Sequence, residues 1–83
     1  MAADNLPVAP TDAPPLRNRF KATLALAGET ISSWARSKGH TESLVWMNLS
    51  GVRNNPEIRD DIAAELRMAT DDLNAEIERE RAA

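Results

Sequence analysis

Two polar clusters in the chain have the composition of phosphate-oxygen ligands. Arg36, Lys38 and His40 stand around one glycine in "WARSKGH", and Arg53, Asn54 and Asn55 stand together in "VRNNP". Cationic side chains neutralise phosphate, and hydroxyls, carboxamides and the N–H groups at a helix start donate to its oxygens. Between the clusters runs "TESLVWMNLS", in which Thr41, Glu42, Ser43, Trp46 and Met47 carry a different chemistry. The hydroxyls of Thr41 and Ser43 can bond base edges, Glu42 can accept from cytosine N4, and Trp46 and Met47 offer apolar contact to thymine methyls. Guanine, read best by Arg or Lys, is poorly served by this set.

Each of these residues also has a plain structural use. Thr41 and Ser43 can cap a helix, and Glu42 can complement the positive end of a helix dipole. Trp46 can pack on a neighbouring helix or against a partner protein. Catalysis finds less support. General acid–base work needs paired titratable groups in a cleft. Here the single histidine, His40, lies at a turn beside Lys38, and there is no cysteine and no glycine-rich phosphate cradle. One histidine cannot assemble a metal site, so neither a metal nor another cofactor is expected.

Helical elements must position these groups. Residues 1–13 offer no periodic apolar face and read as a disordered tail. Leu16, Phe20 and Leu24 recur every four residues, which predicts a first helix beginning around Asp12 to Pro15 and stopped by Gly28. Thr30 is the expected N-cap of a second helix, with Ile31, Trp34 and Ala35 inward and Gly39 at its end. Thr41 caps a third, with Leu44, Val45 and Leu49 inward and Gly51 closing it. Asn55, Pro56 and Glu57 write the start of a fourth, whose stripe is Ile58, Ile62 and Leu66. Beyond it the apolar stripe continues through Ala69, Leu73 and Ile77. The chain there is either one long helix or two, with Thr70 capping the second; the favoured reading is a break at Thr70. No strand-like alternation occurs, so the fold class is all-α, a compact bundle of four or five helices.

Charge is segregated along the chain. Residues 16–59 hold seven Lys and Arg against three acids, whereas residues 60–83 hold eight acids against three bases. The net charge of −3 therefore conceals a basic middle, suited to a polyanion, and an acidic end that should face away from it. Arg17, Arg19 and Lys21 either extend the basic face or form the solvated side of the first helix. At 83 residues the chain allows one domain at most. No apolar run approaches a membrane span, so a soluble, cytoplasmic protein without a membrane partner is expected.

Ala35, Gly39 and Val45 stand at offsets of four and six, as a corner between two crossing helices requires: a small residue, a turn glycine and an aliphatic plug. With Ile31, Trp34, Arg36, Ser43, Leu44, Leu49, Gly51, Arg53 and Pro56, they form the pattern I-x-x-W-A-R-x-x-G … S-L-V-x-x-x-L-x-G … R-x-x-P. Residues 16–66 thereby resemble the lambda-repressor/Cro-type helix-turn-helix superfamily, and in particular small phage and prophage regulators. Lys38 and His40 depart from the usually apolar residues beside the turn glycine. Asn48 stands where the family places an inward apolar residue, and must find hydrogen-bond partners there.

The resemblance implies a domain at 14–69 whose third helix, about 42–50, enters the DNA major groove, and whose dimer represses a promoter from a pseudo-palindromic operator. Base contacts would then fall to Thr41, Glu42, Ser43, Trp46 and Met47. Phosphate contacts would fall to Thr30, Arg36, Lys38, His40, Arg53, Asn54 and Asn55. When bound to DNA such a protein would be nucleoid-associated. The acidic segment 70–83, through Leu73 and Ile77, either folds back on the domain or pairs with a second copy as a homodimer. A second function class stands beside this one: a protein-interaction module, such as an antirepressor or assembly adaptor, using Trp46, Met47 and Glu42 on the same scaffold.

Overall fold

The structure, a computed structural model, describes residues 14–83; the expected N-terminal tail at residues 1–13 lies outside the described residues. Five helices follow in order: α1 (Leu16–Leu26), α2 (Ile31–Lys38), α3 (Glu42–Ser50), α4 (Pro56–Leu66) and α5 (Thr70–Ala82). Among the described residues there is no strand.

Local chemistry sets most of the boundaries. Thr30 and Ser33 form a reciprocal cap at the start of α2: Ser33 N–H donates to Thr30 Oγ1 at 3.1 Å, and Thr30 N–H donates to Ser33 Oγ at 3.0 Å. Thr41 Oγ1 accepts the N–H of Leu44 at 3.2 Å to start α3. Asn55 Oδ1 accepts from Glu57 and Ile58 at 3.0 and 3.3 Å to start α4. Gly39 (φ 79) and Gly51 (φ 86) end α2 and α3 in the left-handed region, where a side chain costs energy.

Two boundaries refine the sequence expectation. Pro15, at the near end of the expected Asp12–Pro15 range, holds the cap position of α1 and supplies no side-chain cap. α4 and α5 are separate helices, as the favoured sequence reading has them. The break between α4 and α5 falls at Arg67, which takes a left-handed conformation (φ 58) without being glycine. Met68 N–H then reaches back to the carbonyl of Ala63 at 3.0 Å, closing α4 as Gly39 and Gly51 close theirs. Thr70 is consequently the first residue of α5 and not its cap, and its hydroxyl donates to Asp60 Oδ1 at 2.8 Å.

The core is built from the stripes read in the sequence. Leu16, Phe20 and Leu24 of α1 are fully buried, and meet Ile31, Trp34 and Ala35 of α2, Val45 and Leu49 of α3, and Ile58, Ile62 and Ala63 of α4. Leu44 is only half-buried, less inward than its spacing suggested. Phe20 meets the Trp34 ring edge-on with centroids 4.9 Å apart, a geometry that adds about 0.5–1.5 kcal/mol beyond area burial. The buried Trp34 indole donates its N–H to Glu65 Oε1 at 3.0 Å, which removes the cost of taking that group out of water.

The acidic segment folds back. α5 packs on α4 and α3, and Leu73 and Ile77 are 0% and 1% exposed. They complete this chain's own core, so the expectation that these two side chains form a contact between copies is corrected: no apolar surface of theirs remains to pair. α5 also ties down the start of the fold. Glu80 Oε2 accepts the N–H of Leu16 at 2.8 Å, supplying the cap that Pro15 lacks, and Arg19 is ion-paired with Glu76. No helix among the described residues is long and apolar enough to cross a membrane.

Candidate nucleic-acid interface

α3 lies between two chain corners, and its outward side begins at its cap. Thr41, Glu42, Ser43 and Ser50 are exposed, whereas Trp46 and Met47 are half-buried. All of these except Ser50 are residues that the sequence assigned to base contact, and they lie together along α3 and its cap. Within that face Trp46 Nε1–H donates to Glu42 Oε2 at 3.3 Å, one helical turn away. The bond uses the indole's only donor and lays the ring along α3, leaving its apolar body to make contacts.

The residues expected at phosphates divide into three groups. Arg36 and Lys38, in the last turn of α2, and Arg53 and Asn54, after α3, are exposed on either side of the α3 face in sequence. Thr30 and Asn55 are exposed, but their side chains already bond the starts of α2 and α4, so only part of each helix start is open to an anion. His40 departs furthest from expectation. Its Nε2 lies 2.8 Å from Asp61 Oδ2 and its side chain is 8% exposed, with the ring 6.4 Å from that of Trp34. It fills, with a carboxylate partner, a place beside the turn glycine that an apolar side chain could take. His40 joins α2 to α4 and is not presented as a phosphate ligand.

Two further cations of the basic middle are engaged within the fold, Arg19 half-buried and Arg59 fully buried. Arg19 faces Glu76. Arg59 is 3% exposed; its Nη1 donates to Asn74 Oδ1 and its Nη2 to the carbonyl of Arg53, each at 2.8 Å. Burial lowers the pKa of the Arg59 guanidinium from the usual arginine value, against the attraction of the Glu78 carboxylate. Its Nε–H has no partner among the described residues. Arg59 is a positioning residue, holding the main chain at Arg53 while the Arg53 side chain stays exposed.

Asn48 does the same from α3. It is 0% exposed, donates to the carbonyl of Leu44 at 2.8 Å and accepts the N–H of Asn55 at 2.8 Å. The buried amide expected to need partners has both. The Gly51–Asn55 corner is therefore clasped by two buried polar side chains, which aims an exposed Arg–Asn pair beside α3 at little further entropic cost on binding.

Sequence reasoning passed over a cleft of about 530 Å3 next to this face, lined by Pro15 and Arg17 of the α1 start, Trp46, Met47, Leu49 and Ser50 of α3, and Ile77, Glu80 and Arg81 of α5. The signal that could have pointed to it is Gly51. A Cβ there would stand 2.9 Å from Arg81 Cδ and 3.2 Å from a methyl of Ile77, so the glycine lets α5 close against the end of α3. Such a distant approach leaves no periodic trace in the sequence.

No protein-family model, curated protein or solved structure matches the chain.

Proposed function

We propose that the chain is a sequence-selective DNA-binding regulator of transcription, a repressor of phage, prophage or plasmid type. In this reading α2, the Gly39 turn and α3 act as a lambda-repressor-like helix-turn-helix, and α3 enters the major groove. The observation that carries it is the exposed run Thr41–Glu42–Ser43 at the start of α3, flanked by exposed Arg36 and Lys38 before it and Arg53 and Asn54 after it. A helix N-terminus with hydroxyls and an acceptor meets base edges, while the flanking cations meet phosphates. With so few base-reading groups, DNA shape and deformability carry part of the selectivity. A second copy on the other half-site of a pseudo-palindrome would contact the first elsewhere than at Leu73 and Ile77. Such a protein works in the bacterial cytoplasm, on the nucleoid when bound.

The test is binding to duplex DNA from upstream of the chain's own gene, by gel shift and by anisotropy over a salt series. Arg53→Ala weakens binding across sequences and lowers the log–log salt slope by about 1, the share of one phosphate contact. Ser43→Ala changes the preference among sequences and leaves the slope alone. An affinity flat in salt would sink the reading.

The second reading, a protein-interaction module, is favoured by the Trp46–Glu42 bond. It leaves Trp46 and Met47 as an apolar surface beside an acid, a composition that suits a protein partner as well as a thymine methyl. Under that reading the Arg53→Ala variant is silent, and Trp46→Ala abolishes the contact.

A further inference from the structure

Glu42 and Trp46 stand one turn apart on α3 and are coupled. Trp46 Nε1–H donates to Glu42 Oε2 at 3.3 Å, and the half-buried ring packs along one side against the core. The exposed carboxylate is thereby tethered to a side chain that the fold already holds, so less side-chain entropy remains to be lost on binding. Among the described residues no other hydrogen bond or ion pair engages it, which leaves Oε1 open to a further donor. The face therefore presents a charged acceptor beside an apolar surface, the Trp46 ring with Met47 next to it.

Base edges in the major groove answer that arrangement unequally. Guanine shows N7 and O6, both acceptors that a carboxylate repels. Adenine offers an amino donor, but an acceptor, N7, stands beside it. Thymine offers a methyl, but beside it O4, another acceptor. Cytosine alone sets an amino donor, N4, next to a carbon edge, and methylation at C5 places a methyl like that of thymine beside the donor. An acceptor next to an aromatic ring is the complement of that edge.

We propose that Glu42 and Trp46 read one cytosine in each half-site as a unit, and bind it most tightly when its C5 is methylated. Such a contact rests on the DNA reading above and adds to it the base and its modification. Glu42 Oε1 accepts the N4 hydrogen that is free of base pairing, while the Trp46 ring and Met47 cover C5 and its methyl. The positive end of α3 and the flanking cations Arg36, Lys38 and Arg53 lessen the repulsion between this carboxylate and the phosphates. The same carboxylate penalises thymine O4 and guanine O6, so part of the selectivity is exclusion of wrong bases.

The full-length chain is used to select duplexes from a random pool at low salt. Each cytosine of the selected site is then replaced in turn by 5-methylcytosine or, with its partner base, by a T·A pair. At one position of each half-site, anisotropy is expected to show binding about tenfold weaker with thymine and about fourfold tighter with the methyl, the worth of one buried methyl group. Glu42→Gln, whose amide can also donate to thymine O4, should bring the cytosine-over-thymine ratio near one and keep the methyl gain. Trp46→Phe keeps an apolar ring but loses the indole donor, and should lower that ratio while keeping part of the methyl gain. Trp34 is then the one tryptophan, so its emission reports that the fold is kept. A selected site without such a cytosine, a ratio indifferent to Glu42→Gln, or methylation that is neutral or weakening overturns the proposal. Where any of these comes with steep salt dependence, the DNA reading survives without it. If no duplex is retained even at low salt, both fall, and the pair is left to a protein partner.

Discussion

Asn48 and Arg59 hold one corner of the chain from opposite sides: Asn48 Oδ1 takes the N–H of Asn55, and Arg59 Nη2 donates to the carbonyl of Arg53, each at 2.8 Å. They are the buried polar side chains among the described residues, and they come from different helices. The corner between α3 and α4 is thus held by buried hydrogen bonds, where α2 and α3 are joined by a capped glycine turn.

Replacing Asn48 with leucine keeps the branched shape, in a bulkier side chain, but leaves the N–H of Asn55 without its acceptor. The expected loss is about 1–3 kcal/mol in urea unfolding, the cost of an unpaired buried group. Hydrogen exchange at Asn55 should accelerate while that at Trp34 changes only with global stability. Unchanged exchange at Asn55 would mean that the amide does not hold the corner.

Arg59→Met tests the other side. It strands the carbonyl of Arg53 and Oδ1 of Asn74, so a loss of about 1–3 kcal/mol is expected despite removal of a buried charge. Combined with Asn48→Leu, the two effects should be non-additive, because both act on one short segment. Strict additivity in the double-mutant cycle would show that the two clasps are independent.

Leu73→Ala distinguishes a core residue from an interface residue. Deleting a buried leucine costs about 2–5 kcal/mol, a large part of the 5–15 kcal/mol typical of a domain. Because Leu73 is buried within its own chain, the loss should be the same at every protein concentration. A dimer contact would instead make the unfolding midpoint depend on concentration.

Gly51→Ala should cost about 1–2 kcal/mol from the left-handed backbone alone, with a further penalty where its Cβ meets Arg81. Shortening the neighbour in Gly51→Ala/Arg81→Ala should recover the second part and not the first. Thermal unfolding of the four proteins of that cycle checks it.

What the sequence made legible follows from how local each signal is. Thr30, Thr41 and Asn55 cap their helices as read, because a cap needs only its next three residues. The buried stripes of α1 and α2, and Ile58 and Ile62 of α4, follow from helical spacing in the same way, whereas Leu66 is only half-buried. Arg67 was not legible: a left-handed arginine looks like any helical arginine until the Met68–Ala63 bond is seen. The candidate interface divides likewise. Glu42, Ser43, Arg36 and Lys38 are exposed on their helices, and Thr41, Arg53 and Asn54 are exposed at the corners that flank α3. His40, Arg19 and Arg59 meet Asp61, Glu76 and Asn74 across the fold, and no spacing rule announces partners that far along the chain.

The bond from Leu16 to Glu80 brings the first and last turns of the folded body within a side chain's length of each other. A linker of a few residues from Ala83 to Pro14 would therefore splice the polypeptide into a ring without disturbing any helix. Closing a loop of that length removes unfolded-chain entropy worth on the order of 4 kcal/mol, with the core unchanged. New ends could then be opened in the turn around Val52, which is 69% exposed, turning α4 into the leading helix of a permuted protein.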